Sequence, residues 1–173
     1  MNKKIYFITG GARSGKSAFA EKIATEIIGK HAYLATAQAL DAEMVARIEH
    51  HRQRRGSAWD TFEEPLAVAE LLGKLSGRYD VVLLDCLTLW LCNVMAHSDG
   101  DEAVSRQSDL LVEAIKNSKS TCIVVSNEVG LGIVPDNALA RRFRDLAGFV
   151  NQRVAQVADE AYLLAAGIPV KIK

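Results

Sequence analysis

One segment near the start of the chain restricts its fold more than any other. Residues 10–17 read GGARSGKS, a run of the form GxxxxGK[ST]. The segment follows a short β-rich run, Ile5 to Thr9, and precedes apolar residues at helical spacing over 14–28. A strand, a glycine loop and a helix in this order place backbone N–H groups at a helix N-terminus, where they bind phosphate. The segment therefore predicts a Walker A phosphate loop, with an ordinary Gly-rich turn as the alternative.

Three side chains have predicted roles around this loop. Lys16 is expected to neutralise the β- and γ-phosphate oxygens of a nucleotide, and the Ser17 hydroxyl is expected to bind Mg²⁺. Asp85 ends the apolar run Val81 to Leu84 and is interpreted as a Walker B acid that holds the same ion. A turn-initiating Asp is the alternative for Asp85. The sequence contains no NKxD guanine-binding motif and no GxGxxG dinucleotide motif.

The rest of the chain alternates between predicted strands and helices. Strands are predicted near 32–36, 79–85, 121–126, 161–165 and 170–172, and helices near 41–54, 65–76, 87–97, 102–117 and 137–158. The strand segments are apolar throughout, which is typical of strands buried on both faces. The pattern predicts an α/β layer structure with a mostly parallel sheet in one domain, 1–173.

Composition excludes several classes of protein. Lys plus Arg and Asp plus Glu both number 21, which argues against a globally basic nucleic-acid binder. An apolar content of 49% argues against disorder. The three cysteines form no CxxC pair and are expected to be reduced, mostly buried thiols. No apolar stretch is long enough to span a bilayer, so the expected location is the cytoplasm.

The segment 47–55, RIEHHRQRR, is unusually basic. On a helix, Arg47, His50 and Arg54 share one face, and their mutual repulsion would be relieved by a bound polyanion. The same repulsion disfavours imidazolium and leaves a neutral histidine nitrogen able to act as a nucleophile. A solvated basic face is the alternative. Zinc binding is disfavoured because adjacent helical histidines point about 100° apart.

Asn127 and Glu128 directly follow the predicted strand 121–126. The carboxyl ends of strands are where α/β proteins bind ligands. Two interpretations of this pair stay open: a role in the site, and simple turn formation.

Seven segments in order give the chain a family resemblance: GGARSGKS, YLATAQ, ARIEHHRQRR, WDTFEEP, VLLDCLTLW, VSNEVGLGIVP and FRDLAGFVNQRVA. Together they resemble the bifunctional adenosylcobinamide kinase/adenosylcobinamide-phosphate guanylyltransferase of cobalamin biosynthesis. The resemblance implies a P-loop NTPase fold, RecA-like and three-layered, in a homotrimer. It implies GTP and ATP as substrates with Mg²⁺ and a corrinoid acceptor. The net charge and the short apolar runs argue against a nucleic-acid partner and a membrane span.

The resemblance also implies roles for individual residues. The family phosphorylates adenosylcobinamide, takes GMP from GTP onto a histidine, and passes it to the cobinamide phosphate. The resemblance implies that this histidine is the first of the paired histidines, His50, and Lys16 of the phosphate loop is the second expected catalytic residue. The implied nucleotide contacts are Gly10, Gly11, Ala12, Arg13, Ser14, Gly15, Lys16, Ser17, Thr36, Ala37, Gln38, His51, Arg52, Gln53, Arg54, Glu63 and Asp85. Whether Glu63 or Glu64 meets the nucleotide stays open.

Two other functions compete with this interpretation. A monofunctional P-loop small-molecule kinase would use the basic helix only as a phosphate lid. A RecA-like regulatory module would need a nucleic-acid or protein surface, and the neutral net charge argues against the nucleic-acid version.

Overall fold

The apolar runs of the sequence form the strands of one sheet, with the helices between them. The computed structural model describes residues 3–39, 41–55, 58–98 and 100–173, apart from the side chains of Glu43, Arg47, His50, His51, Arg52, Arg54 and Arg55. The strands are β1 Ile5–Gly10, β2 His31–Ala35, β3 Trp59–Glu63, β4 Val81–Asp85, β5 Thr121–Val125, β6 Glu160–Ala165 and β7 Ile168–Lys171. The helices are α1 Lys16–Thr25, α2 Ala42–Arg55, α3 Val68–Leu75, α4 Leu87–His97, α5 Gly100–Asn117 and α6 Ala138–Val157.

The sheet has the strand order β3-β2-β4-β5-β1-β6-β7. Every neighbouring pair is parallel except β6 and β7, which form an antiparallel hairpin. The predicted, mostly parallel central sheet is therefore confirmed. Strand β5 lies between β1, which leads into the glycine loop, and β4, which ends at Asp85. Because the strands run the same way, these ends share one edge of the sheet, called the carboxyl edge below.

Helices cover both faces of the sheet. On one face, Ala20 and Ala24 of α1 pack with Ile8 of β1. On the other face, buried side chains of α3, α4, α5 and α6 pack with Ile5 and Phe7 of the same strand. Alternate residues of β1 therefore supply two hydrophobic cores, which is why the strand is apolar throughout. This arrangement confirms the three-layer α/β fold. That the chain is one domain stays a prediction, which the single sheet supports.

Strand β3 was not predicted from the sequence, and helix α3 begins later than predicted. Strand β3 contains Asp60 and Thr61, both exposed, and pairs only with β2 at the sheet edge. A helix was predicted to begin at Pro65, but α3 begins at Val68. The Glu64 carboxylate accepts the N–H groups of Leu66 and Ala67, which keeps this stretch in a turn.

The cysteines differ in environment. Cys86 and Cys122 are buried free thiols, whereas Cys92 on α4 is exposed. Burial raises the thiol pKa of both Cys86 and Cys122 to about 11. These two thiols therefore stay protonated and unreactive at neutral pH. None of the helices in the described ranges is long and apolar enough to cross a membrane.

Candidate nucleotide site

The glycine loop joins β1 to α1 at the carboxyl edge. Gly10 has φ +149°, and a Cβ at this position would lie 2.4 Å from the carbonyl oxygen of Leu164 in β6. Gly15 has φ +95° and is the N-cap of α1. Arg13 is exposed and also adopts a positive φ, 56°. Glycine is thus required where the backbone turns and where it passes close to β6. The loop has the strand–loop–helix context that the motif predicted.

Lys16 is held inside this loop. It is only 8% exposed, and its Nζ donates to the carbonyl oxygen of Gly11 at 2.5 Å. A second, longer contact of 3.5 Å joins Nζ to the Ser14 hydroxyl. The ammonium group therefore lies within the curve of the loop, at the N-terminus of α1. A fixed cation and backbone N–H groups at this position favour bound phosphate.

Asp85 connects the loop to the end of β4. Its Oδ2 accepts a hydrogen bond from the Ser17 hydroxyl at 2.8 Å. The same oxygen accepts a second hydrogen bond from the Tyr33 hydroxyl, also at 2.8 Å. The two predicted metal-binding residues are therefore in direct contact, although they are 68 residues apart in sequence. Carboxylate and hydroxyl oxygens are the kind of ligand that Mg²⁺ prefers.

Thr36 locks the end of β2 onto the residue after Asp85. It is completely buried, and its hydroxyl donates to the Cys86 carbonyl at 2.8 Å while accepting the Cys86 N–H at 2.9 Å. Asn93 of α4 also donates to the Thr36 carbonyl. The geometry gives Thr36 an internal supporting role. Its predicted nucleotide contact, and those of the half-buried Ala37 and Gln38, stay predictions.

Helix α2 carries the predicted histidine nucleophile. Asp41 caps the helix by accepting a 2.7 Å hydrogen bond from the Met44 N–H. The backbone of residues 50–54 is helical, but the side chains of His50, His51, Arg52 and Arg54 lie outside the described part of the structure.

Gln53 lies on the same helix. It is exposed, and it donates to Glu49 one turn earlier at 3.0 Å. The nucleotide contact that the resemblance implies for this residue stays a prediction.

Glu63 and Glu64 lie in different surroundings. The Glu64 carboxylate accepts hydrogen bonds from the Leu66 and Ala67 N–H groups, just before α3. Glu63 ends β3 and is exposed, opposite Ala35 in the strand register. Ala35 is in turn opposite Asp85 on the next strand. This arrangement supports Glu63 as the nucleotide contact, which stays a prediction.

Three residues that support the site were not predicted from the sequence. These are Tyr33 on Asp85, Thr88, whose hydroxyl accepts the Asn127 amide at 2.8 Å, and Gly167, whose N–H donates to the Ser14 carbonyl at 3.0 Å. Strand register and the sheet order bring them to the site, and no local motif marks them. The Glu128 N–H donates to the Gly10 carbonyl at 3.0 Å, so the loop after β5 is attached to the phosphate loop.

Similarity to known structures agrees with this geometry. An ATPase of the type III secretion system of pathogenic bacteria has a TM-score of 0.55 at 14% identity, over 94% of this chain and 51% of that one. The EscN ATPase of enteropathogenic E. coli has a TM-score of 0.61 at 11% identity, over 95% and 43%. The RadB recombinase has a TM-score of 0.52 at 16% identity, over 92% and 73%. This chain spans about half the length of the two ATPases, so the likeness shows the fold alone. The fold is that of a RecA-like P-loop NTPase.

Similarity in sequence shows the family as well as the fold. Residues 6–172 match the family model for cobinamide kinase/cobinamide phosphate guanyltransferase. The bifunctional adenosylcobalamin biosynthesis protein CobU of Escherichia coli is 42% identical over 96% of this chain and 98% of its own length. CobP of Pseudomonas aeruginosa, described in the same words, is 43% identical over 96% and 95%. The chain therefore belongs to the cobinamide kinase/cobinamide phosphate guanyltransferase family, which confirms the resemblance.

Proposed function

We propose that this chain performs the two reactions of its family from one nucleotide site, with His50 carrying GMP between them. Family membership gives the kinase and guanylyltransferase activities and supports them over a monofunctional kinase. The contact between Ser17 and Asp85 is the observation that carries the proposal for the site, because it joins the phosphate loop to the acidic end of β4.

In the kinase reaction, the hydroxyl oxygen of cobinamide attacks the γ-phosphorus of ATP or GTP. The bond between that phosphorus and the β–γ bridging oxygen breaks, ADP or GDP leaves, and the hydroxyl proton passes to water. Lys16 and the N-terminus of α1 bind the triphosphate and offset its charge. The phosphate loop and Lys16 are held by contacts within the protein, so the donor binds to a preorganised site.

Ser17 and Asp85 are the residues that would hold Mg²⁺. Their oxygens converge to 2.8 Å, and both are hard ligands of the type this ion takes. Bound there, Mg²⁺ supplies charge neutralisation to the phosphate oxygens. Tyr33 fixes the orientation of the Asp85 carboxylate by donating to Oδ2.

In the guanylyltransferase reaction, a neutral His50 nitrogen attacks the α-phosphorus of GTP and pyrophosphate leaves. An oxygen of cobinamide phosphate then attacks the same phosphorus, the bond to His50 breaks, and the imidazole is regenerated. The segment that leads into α2 starts beside this site, because β2 ends at Ala35, directly opposite Asp85. Helix α2 begins seven residues later at Ala42, so the chain that carries His50 leaves the sheet at the carboxyl edge.

A labelling experiment tests the role of His50. Incubation with GTP labelled at the α-phosphate should give labelled protein whose bond is acid-labile and base-stable, as for a phosphoramidate. His50→Ala should abolish labelling and retain phosphorylation of cobinamide by ATP. His97→Ala is the matched control, because His97 is exposed at the end of α4. Labelling that persists in His50→Ala would reject this nucleophile.

We also propose that the chain acts as a homotrimer, as the resemblance implies. Light scattering of the purified protein should give a mass three times that of the 18.9 kDa chain. A monomeric mass at assay concentration, with both activities intact, would contradict this.

A further inference from the structure

The loop after β5 exposes an unusual amount of apolar surface. In residues 127–137, Leu131 is 83% exposed, Ile133 97% and Val134 58%. Contiguous exposed apolar side chains of this kind mark sites for ligands or partners. We call Leu131, Ile133 and Val134 the apolar loop patch.

Both ends of this loop are fixed. At its start, the Glu128 N–H donates to Gly10 at 3.0 Å, and the Glu128 carboxylate accepts the Gly130 N–H at 2.7 Å. At its end, the Arg141 guanidinium of α6 donates to the carbonyls of Pro135 at 2.9 Å and Asp136 at 2.6 Å. The exposed patch is thus presented by anchored backbone, which lowers the ordering cost of binding.

The patch is close to the place where phosphate is transferred. Glu128 is bonded to the first residue of the phosphate loop, and Ile133 lies five residues further on. Val134, the last residue of the patch, is six residues from Glu128, and six extended residues span at most about 22 Å. The backbone of the patch therefore lies within that distance of the Glu128 anchor. A large acceptor whose hydroxyl meets the γ-phosphate must extend over the surface that surrounds this loop.

We propose that the apolar loop patch is the docking surface for the corrinoid acceptor, which packs its macrocycle on Leu131, Ile133 and Val134. The inference rests on the proposed kinase and guanylyl-transfer function and names where its acceptor binds. Charge agrees with this occupant. Residues 127–136 carry two ionisable side chains, the acidic Glu128 and Asp136, against one guanidinium, that of Arg141, at the end of the loop, and the cobalt corrin core carries positive charge. The patch is also continuous with the nucleotide site through the Glu128–Gly10 hydrogen bond.

Paired variants test this surface. The double variant Leu131→Ser/Ile133→Ser removes apolar area without disturbing a core, since both side chains are exposed. Ile28→Ser is the matched control, because Ile28 is 91% exposed and lies just before β2. It is therefore at the amino ends of the strands, opposite the carboxyl edge. The measurements are the KM for cobinamide in the ATP-dependent kinase reaction, protein labelling by α-labelled GTP without corrinoid, and the mass in solution.

The double variant should raise the KM for cobinamide about tenfold or more while GTP labelling stays within about twofold of the unaltered protein. The Ile28→Ser control should change neither. An unaltered KM in the double variant overturns the proposal. A raised KM that accompanies a changed mass also overturns it and assigns the patch to a contact between copies of the chain. If the unaltered protein neither labels nor phosphorylates cobinamide, the proposed function fails instead.

Discussion

Replacing Thr36 by Val tests whether the Thr36–Cys86 contact holds the carboxyl edge together. Valine has nearly the shape of threonine but lacks the hydroxyl that bridges the N–H and C=O of Cys86 at 2.9 and 2.8 Å. Thr36 is 0% exposed and Cys86 is 5% exposed, so water cannot replace those hydrogen bonds. Valine leaves the buried Cys86 N–H unpaired, which costs roughly 1–3 kcal/mol. It also removes one of the two hydrogen bonds to the Cys86 carbonyl, which keeps the Trp90 N–H at 3.1 Å, at a cost of about 1 kcal/mol. We expect a total loss of about 3 kcal/mol.

Thr36→Ser is the matched variant. It keeps the hydroxyl and removes one methyl group, which costs about 1 kcal/mol. Urea unfolding should therefore separate the two variants by about 2 kcal/mol at equal m-values, which corresponds to roughly 4–8 °C in Tm for a chain of this size. If Thr36→Val proves as stable as Thr36→Ser, the hydrogen bonds have little net value and the reasoning is refuted.

Three further predictions concern acid stability, thiol reactivity and backbone conformation. Hydrogen bonds from two lysines and a tyrosine lower the pKa of Glu160 to about 2 from an ordinary value near 4.5. Its contribution to stability is therefore present at neutral pH and lost as pH falls from about 4.5 towards 2. Glu160→Gln should unfold more easily than the unaltered protein at pH 7, by about 1 kcal/mol after solvent screening, and the gap should close in acid. A thiol reagent at pH 8 should modify Cys92 rapidly and the two buried cysteines only after unfolding; three fast thiols in the folded protein would contradict their burial. Gly10→Ala should destabilise the fold by more than about 1 kcal/mol in urea unfolding, because φ is +149° and the new Cβ meets a carbonyl oxygen at 2.4 Å, whereas Gly11→Ala meets nothing within 4 Å; equal stabilities would count against the close approach.

Strands could be predicted from the sequence where nearly all of their residues are buried. Strands β1, β4 and β5 are buried along both faces, so their apolar runs stood out. Strand β3 was missed because only Trp59 is buried in it, and the edge position leaves polar side chains in solvent. The start of α3 was misplaced because Pro65 fits a first helical turn in general, whereas here the Glu64 side chain competes for the backbone N–H groups.

In the candidate site, some residues could be predicted from the sequence and others could not. The phosphate loop and Asp85 were predictable because their chemistry depends on local spacing and on the end of an apolar run. The contacts of Tyr33 and Thr36 were not, because they follow from the register of β2 against β4, which a single sequence does not specify. The attachment of Glu128 to Gly10 likewise depends on β5 lying beside β1.

The hydrogen bond from the Gly167 N–H to the Ser14 carbonyl joins the turn between the last two strands to the phosphate loop. The turn between β6 and β7 supports the loop from outside, and a Cβ added at Gly15 would lie 3.3 Å from the Gly167 Cα. A tag, fusion or surface immobilisation that pulls β7 away from β6 would therefore weaken triphosphate binding before it unfolded the core.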